Sequence, residues 1–193
     1  MGKVVVTNHI SLDGVMQAPG RPDEDTRDGF DRGGWAARDN DAVMGQVMGK
    51  GMSTSGSLLF GRRTYDDFFR VWPNRTDNPF TEVLDKTPKY VASRTLTEPL
   101  PWQNSTLLSG DAVDAVRALK DRLPGDLGIL GSGDLIGSLR RHHLIDTYVL
   151  MIHPVVLGSG RRLFPDGAVP EDLRLTDSVT TTTGVVIATY EVG

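Results

Sequence analysis

The chain has 193 residues, 38% of them hydrophobic and 24% charged, with a formal net charge of −4 and no cysteine. That is enough for one domain with its own core. An acidic balance argues against sequence-independent nucleic-acid binding, and the lack of cysteine excludes disulfides, thiolate nucleophiles and thiolate metal sites. The opening "MGKVVVTNHISLDG" holds a three-residue apolar run, shorter than the apolar region of a secretion signal, and nowhere do apolar residues continue for the ~20 needed to span a bilayer. The expectation is a cytoplasmic protein with no membrane or nucleic-acid partner.

In chain order, "KVVVTNHISL" (3–12) is β-branched and ends at Asp13-Gly14, a strand and its turn. Residues 18–34 are rich in Pro, Gly and Asp and predict a long polar loop, either a lid hinged at Gly33-Gly34 and anchored by Trp35 or a disordered connection. Residues 39–56 predict a helix with Val43, Val47 and Met48 on one face, weakened by Gly45, Gly49 and Gly51. "SLLFG" (57–61) reads as a buried strand and "RRTYDDFFRVW" (62–72) as a helix. Residues 88–96 and 105–110 are further strands. In "DAVDAVRALKDRL" (111–123), Asp111 suits an N-cap, and Val113, Val116, Leu119 and Leu123 make one apolar stripe. A strand at 126–131 precedes a helix that runs through Arg141, then a long buried strand at 144–158, and finally two runs within 173–192 joined at Thr183-Gly184 as a hairpin. Alternating strand and helix closing on strands predicts one α/β domain, 1–193, mostly parallel with antiparallel strands at its C-terminal end.

The strand–glycine–helix stretch "ILGSGDLIGSL" invites comparison with a dinucleotide-binding fingerprint. Gly131 and Gly133 fit, but Ile136 stands where the third glycine belongs, and the following strand offers no ribose-binding acid. Two other strand ends share its character. "LLFGRRTY" brings Gly61, Arg62, Arg63 and Thr64 to a helix start, and "YVASRTL" puts Ser93, Arg94 and Thr95 just past a strand. In an open α/β sheet such ends gather along one edge, where glycines admit a pyrophosphate, helix N-termini donate N–H groups and arginines hold a further phosphate. The plain alternative for each is a tight turn or a solvated helix start. Arg62 and Arg63 oppose the helix dipole there, which favours an anionic partner.

Taken together, "SLDGVM", "LLFGRRTY", "KYVASRTL", "ILGSGDLIGSL" and "DTYVLMIHPVVLGSGRRLF" resemble, in order and across essentially the whole chain, the dihydrofolate-reductase-like superfamily. Within it they resemble most the C-terminal reductase domain of the riboflavin-biosynthesis deaminase/reductase. The resemblance implies a three-layer α/β/α fold around a mixed sheet, NADPH as hydride donor and a homodimer. It implies that Gly61, Arg62 and Thr64 contact cofactor phosphates, that Ser93 and Arg94 contact the adenosine side, and that Gly131, Ser132, Gly133, Asp134 and Leu135 hold the pyrophosphate. Asp13, Gly14 and Met16 would face nicotinamide and substrate. The acid that dihydrofolate reductases carry within the helix before the Gly-Arg-x-Thr turn is missing from "AVMGQVMGKGMS", where Asp39 and Asp41 stand only at the start, so folate is a poor substrate expectation.

Hydride transfer needs stacked reactants, exclusion of water and a proton source. Asp13 is read either as the group that orients substrate or relays the proton, or as a residue shaping its own turn. His9 either points into the site or is a satisfied core histidine, Arg161 and Arg162 either meet a substrate phosphate or form a surface turn, and no metal site is expected. Two functions follow. One is an NADPH-dependent reductase of a small heterocyclic, carbonyl or imine substrate, the riboflavin-pathway 5-amino-6-(5-phosphoribosylamino)uracil among the candidates. The other is a nucleotide-binding sensor or scaffold without turnover. Flavin binding is a weaker third reading.

Overall fold

A computed structural model describes residues 2–76, 78 and 80–193. Its eight strands are β1 (Val4–Ser11), β2 (Ser55–Gly61), β3 (Lys89–Ala92), β4 (Ser105–Leu108), β5 (Asp126–Leu130), β6 (Thr147–His153), β7 (Leu173–Thr180) and β8 (Val186–Val192). The helices are α1 (Ala42–Thr54), α2 (Arg62–Val71), α3 (Phe80–Lys86), α4 (Ala112–Arg122) and α5 (Gly133–Arg141). The strands make one mixed sheet in the order β4-β3-β2-β5-β1-β6-β8-β7. The chain divides into two compact units, Met1–Val5 with Gly49–Asp146, and Val6–Met48 with Thr147–Gly193.

In the first unit β2 pairs in parallel with β3, which the chain reaches through α2 and α3, and with β5, while β3 pairs in parallel with β4 across a connection, 93–104, that holds no helix. Leu58, Phe60, Tyr65, Leu84, Val91 and Trp102 form its core cluster. Asp111 caps α4 by accepting from the N–H groups of Val113 (2.8 Å) and Asp114 (3.3 Å), and Val113, Val116 and Leu119 are buried along one face. The sequence reading had no counterpart of α3. It is a single seven-residue stretch with one buried apolar side chain, Leu84, too short to show a helical period. Its C-terminus is closed by Lys89, which is fully buried, donates to the carbonyls of Leu84 (2.7 Å) and Thr87 (2.8 Å), and lies 4.6 Å from the Trp102 ring centroid.

In the second unit β8 pairs antiparallel with both β6 and β7. The turn between β7 and β8 is the expected hairpin, with Gly184 at φ +87°. The strand expected over 144–158 is shorter, because Pro154 has no N–H to extend the ladder beyond His153. The polar loop at 18–34 is folded onto the unit. Ala18, Phe30, Trp35 and Ala36 join Val15 and Leu157 in one buried cluster. Gln17 Nε2 donates to the carbonyls of Asp25 (3.2 Å) and Arg27 (3.0 Å), and Trp35 Nε1 donates to the Gln17 carbonyl (2.8 Å). Gly33 serves a close backbone approach: a Cβ there would meet the Arg21 carbonyl oxygen at 2.7 Å.

Candidate functional site

The parallel registers place three turns of the first unit side by side. Gly61 is level with Ala92, so Ser93 follows one residue beyond it. Leu59 is level with Ile129, so two residues further along each strand Gly61 and Gly131 are reached together. Side chains then lock the turns to one another. Ser132 Oγ accepts from the Gly61 N–H at 3.0 Å, and the Ser132 N–H donates to Thr64 Oγ1 at 3.1 Å. Gly131 has φ +63°, and a Cβ on it would lie 3.2 Å from Thr64 Cγ2, so glycine is what lets the two turns close.

The chemistry of this edge suits an anion. Gly131 and Ser132 are both left-handed, the second at φ 57° and ψ 43°, in series before α5. Ser132 occupies the N-cap position, but its hydroxyl is spent on Gly61 and no side chain caps the helix. Gly61 likewise leaves α2 without a side-chain cap. Two helix N-termini thus offer first-turn N–H groups that the fold does not consume through side chains. Arg62 donates to Thr95 Oγ1 at 2.6 Å and lies 3.3 Å from Asp66. Arg63 lies 3.5 Å from Asp134, each side chain at least 70% exposed, a pair of little energetic weight. Ser93 Oγ accepts from the N–H groups of Thr95 and Leu96, both at 3.1 Å, and Arg94 is exposed with no side-chain partner among the described residues. Leu135 is buried, and its Cβ would be 3.8 Å from a Cβ on Gly61, so it supports the turn from below.

In the second unit the Asp13 carboxylate is fully engaged. It accepts from the Ser11 hydroxyl at 2.6 Å, the Leu157 N–H at 3.0 Å and the Gly158 N–H at 2.8 Å. These bonds, the Ser11 hydroxyl foremost, hold its pKa down to about 2, so it is a carboxylate at neutral pH. Gly14 follows at φ +81°, and Met16 Sδ lies 3.9 Å from Asn8 Nδ2. Arg162 Nε donates to the Asp13 carbonyl at 3.0 Å and Arg161 Nε lies 3.4 Å from Asp28, so both arginines serve the loop.

Sequence reasoning missed how Asp39, His153 and His9 combine. His153, fully buried, meets Asp39 Oδ2 through Nδ1 at 2.8 Å and His9 Nδ1 through Nε2 at 2.9 Å. The edge of Trp35 covers the His153 ring, centroids 5.3 Å apart. Burial, with His153 adjacent, pushes the His9 pKa down to about 3. The available signal was a histidine closing a buried strand just before a proline. Its partners lie 114 and 144 residues away, beyond any local pattern. Among the described residues no group of three or more His, Cys, Asp or Glu is arranged to hold a metal ion, and no helix is long and apolar enough to cross a membrane.

The comparisons with known proteins agree with this architecture. The Bacillus subtilis protein YyaP is 32% identical over 140 residues, which is 69% of this chain and 72% of that protein. Two solved structures share the fold. One is the Thermotoga maritima diaminohydroxyphosphoribosylaminopyrimidine deaminase/5-amino-6-(5-phosphoribosylamino)uracil reductase, at TM-score 0.64 and 15% identity, covering 100% of this chain and 57% of that one. The other is Enterococcus faecalis dihydrofolate reductase in complex with NADP(H) and RAB-propyl, at TM-score 0.61 and 14% identity, covering 100% of this chain and 97% of that one. The RibD C-terminal domain profile matches residues 2–187, and the chain belongs to that family.

Proposed function

We propose that this chain is a reductase that takes NADPH as hydride donor and reduces a small heterocyclic, carbonyl or imine acceptor, acting as a single domain and as a homodimer in the cytoplasm. The acceptor class includes pyrimidines of the riboflavin pathway, such as 5-amino-6-(5-phosphoribosylamino)uracil. The observation that carries the reading is the alignment of Gly61, Ser93 and Gly131 at three neighbouring parallel strand ends, with the Ser132 hydroxyl joining the first and last and Arg62 reaching Thr95 beside Ser93. Membership of the RibD C-terminal domain family supports the same reaction class.

The residues fit the cofactor on grounds of donor chemistry. Gly131, Ser132, Gly133, Asp134 and Leu135 present the start of α5, uncapped by any side chain, to a pyrophosphate. Gly61, Arg62, Arg63 and Thr64 do the same from α2. Ser93 and Arg94 take the adenosine side, where Arg62 and Arg94 together read the 2′-phosphate through charge-assisted bonds. When bound, the cofactor supplies the hydride. The protein orients it and holds the acceptor against it. Asp13 keeps the turn bearing Gly14 and Met16 in place through Ser11, Leu157 and Gly158, and that turn receives the acceptor.

The test is NADPH titration by fluorescence quenching, followed by NADPH oxidation in the presence of candidate acceptors. Saturable binding, tighter for NADPH than NADH, with acceptor-dependent oxidation is the expected result. Binding without oxidation by any acceptor favours the nucleotide-binding sensor or scaffold, and absence of binding contradicts both.

A further inference from the structure

Reduction of a C=N or C=O bond consumes a proton as well as a hydride. A carboxylate as firmly hydrogen-bonded as that of Asp13 does not hold one at neutral pH. The second unit contains another set of titratable groups, to which the reductase reading has so far given no role. Asp39 is buried, His153 is fully buried, and His9 is half-buried on β1. They stand in series at 2.8 and 2.9 Å. Three separate segments of the chain converge to form the line: the approach to α1, the end of β6 and the middle of β1. Arg38 lies 3.6 Å from Asp39 Oδ1 and is exposed, Trp35 packs on His153, and Asp41 is turned to the Thr182 hydroxyl and N–H, both 2.7 Å away.

We propose that Asp39, His153 and His9 form a proton relay that delivers the reaction's proton from His9 Nε2 to the acceptor, an inference that rests on the reductase reading. The donor–acceptor order dictates how it works. With Asp39 ionised, His153 Nδ1–H donates to the carboxylate, which leaves His153 Nε2 to accept from His9 Nδ1–H and makes His9 Nε2 the open end. His9 Nε2 has no partner among the described residues. A proton arriving at that end moves His9 Nδ1–H to His153 Nε2 and His153 Nδ1–H to Asp39. The loaded relay is neutral: a carboxylic acid and two neutral imidazoles. Burial disfavours a lone imidazolium at His9, as its low pKa reflects, so a proton that enters at Nε2 passes on through Nδ1 toward His153 and Asp39. On reduction, hydride forms the new C–H bond, the Nε2–H bond of His9 breaks, and its proton forms the N–H or O–H bond. The relay returns to net charge −1 and reloads from solvent.

The experiment compares wild type, His9→Gln and Asp39→Asn as full chains. It follows NADPH binding by fluorescence, the pH profile of kcat for acceptor-dependent NADPH oxidation, and imidazole ¹⁵N shifts between pH 4 and 9. The expected results are a fall in kcat of about 10²-fold for His9→Gln with NADPH affinity within twofold of wild type, loss of the high-pH decline of kcat in Asp39→Asn, and a His9 ¹⁵N titration that moves when Asp39 is replaced. His9→Gln replaces a half-buried side chain and keeps the test available if Asp39→Asn unfolds. NADPH binding with wild-type kcat and pH profile in His9→Gln overturns the relay alone. Failure of wild type to bind NADPH overturns the reductase reading and the relay with it.

Discussion

The turn at Asp13 and the turns at Gly61, Ser93 and Gly131 are built from similar residues yet treat their polar groups in opposite ways. At Asp13 the carboxylate accepts from a hydroxyl and two N–H groups, and its backbone carbonyl accepts from Arg162. Asp13 itself is spent on holding the turn, and what the turn presents is Gly14 and Met16. Among the other three turns the Ser132 hydroxyl ties the Gly61 and Gly131 turns together, while two helix N-termini stay without a side-chain cap and Arg94 has no side-chain partner among the described residues. A polar group whose capacity is used up defines a loop. A group held in place but not satisfied is available to a ligand.

Glycine sharpens this comparison with the largest expected effect. Gly160, in the second unit, has φ +115°, and a Cβ there would lie 2.7 Å from Val15 Cγ1 and 2.8 Å from Phe30 Cε2. Gly160→Ala is expected to cost about 3 kcal/mol of folding stability by thermal or denaturant melts, from backbone strain plus overpacking. Next comes Arg62→Ala with Arg94→Ala. Losing two exposed charge-assisted contacts at about 1.5 kcal/mol each is expected to weaken NADPH by about 10²-fold while NADH changes several-fold at most. Equal losses for the two cofactors would show that these arginines do not read the 2′-phosphate. Gly131→Ala adds strain of about 1–2 kcal/mol at a left-handed turn and crowds Thr64, and is expected to lower NADPH affinity about tenfold, checked by the same titration together with a melt.

Asp13 supplies a pH-dependent contrast. Its pKa is lower in the folded chain, about 2, than the usual 3.8, so its contribution to stability is fully present above pH ~4 and is lost as pH falls toward 2. Asp13→Asn is expected to melt lower than wild type at pH 7, with the gap narrowing from pH ~4 and closing as pH falls through about 2. A constant gap across that range would contradict the assignment. The smallest effect belongs to Arg63→Ala, which removes an exposed pair and is expected to leave stability within ~0.5 kcal/mol. A drop in NADPH affinity in that variant therefore reports the cofactor and not the fold.

Most of the fold was legible because burial writes itself locally. The apolar run of β2, the stripe and N-cap of α4 and the hairpin closing at Gly184 each carry a signal within a dozen residues. The three strand-end turns were legible for the same reason, since a hydroxyl stands at each, beside glycine at 61 and 131 and beside arginine at 62 and 94. What sequence could not supply was partnership. Nothing near Ser132 indicates that its hydroxyl would serve Gly61, 71 residues away, instead of capping α5. Nothing near His153 points to Asp39. The helix α3 was invisible because it is held by Lys89 and Trp102 from outside, not by a stripe of its own. The loop at 18–34 read as polar, yet it is fastened by Gln17 and Trp35, whose bonds to backbone carbonyls have no sequence signature.

The central claim is that three turns distant in sequence grip one dinucleotide along a shared strand edge. Amide chemical-shift mapping of the ¹⁵N-labelled full chain during an NADPH titration tests it most directly. The account predicts that Gly61–Thr64, Ser93–Thr95 and Gly131–Leu135 shift together with a single dissociation constant. Shifts confined to one of these turns, or falling elsewhere while all three stay unmoved, would contradict it.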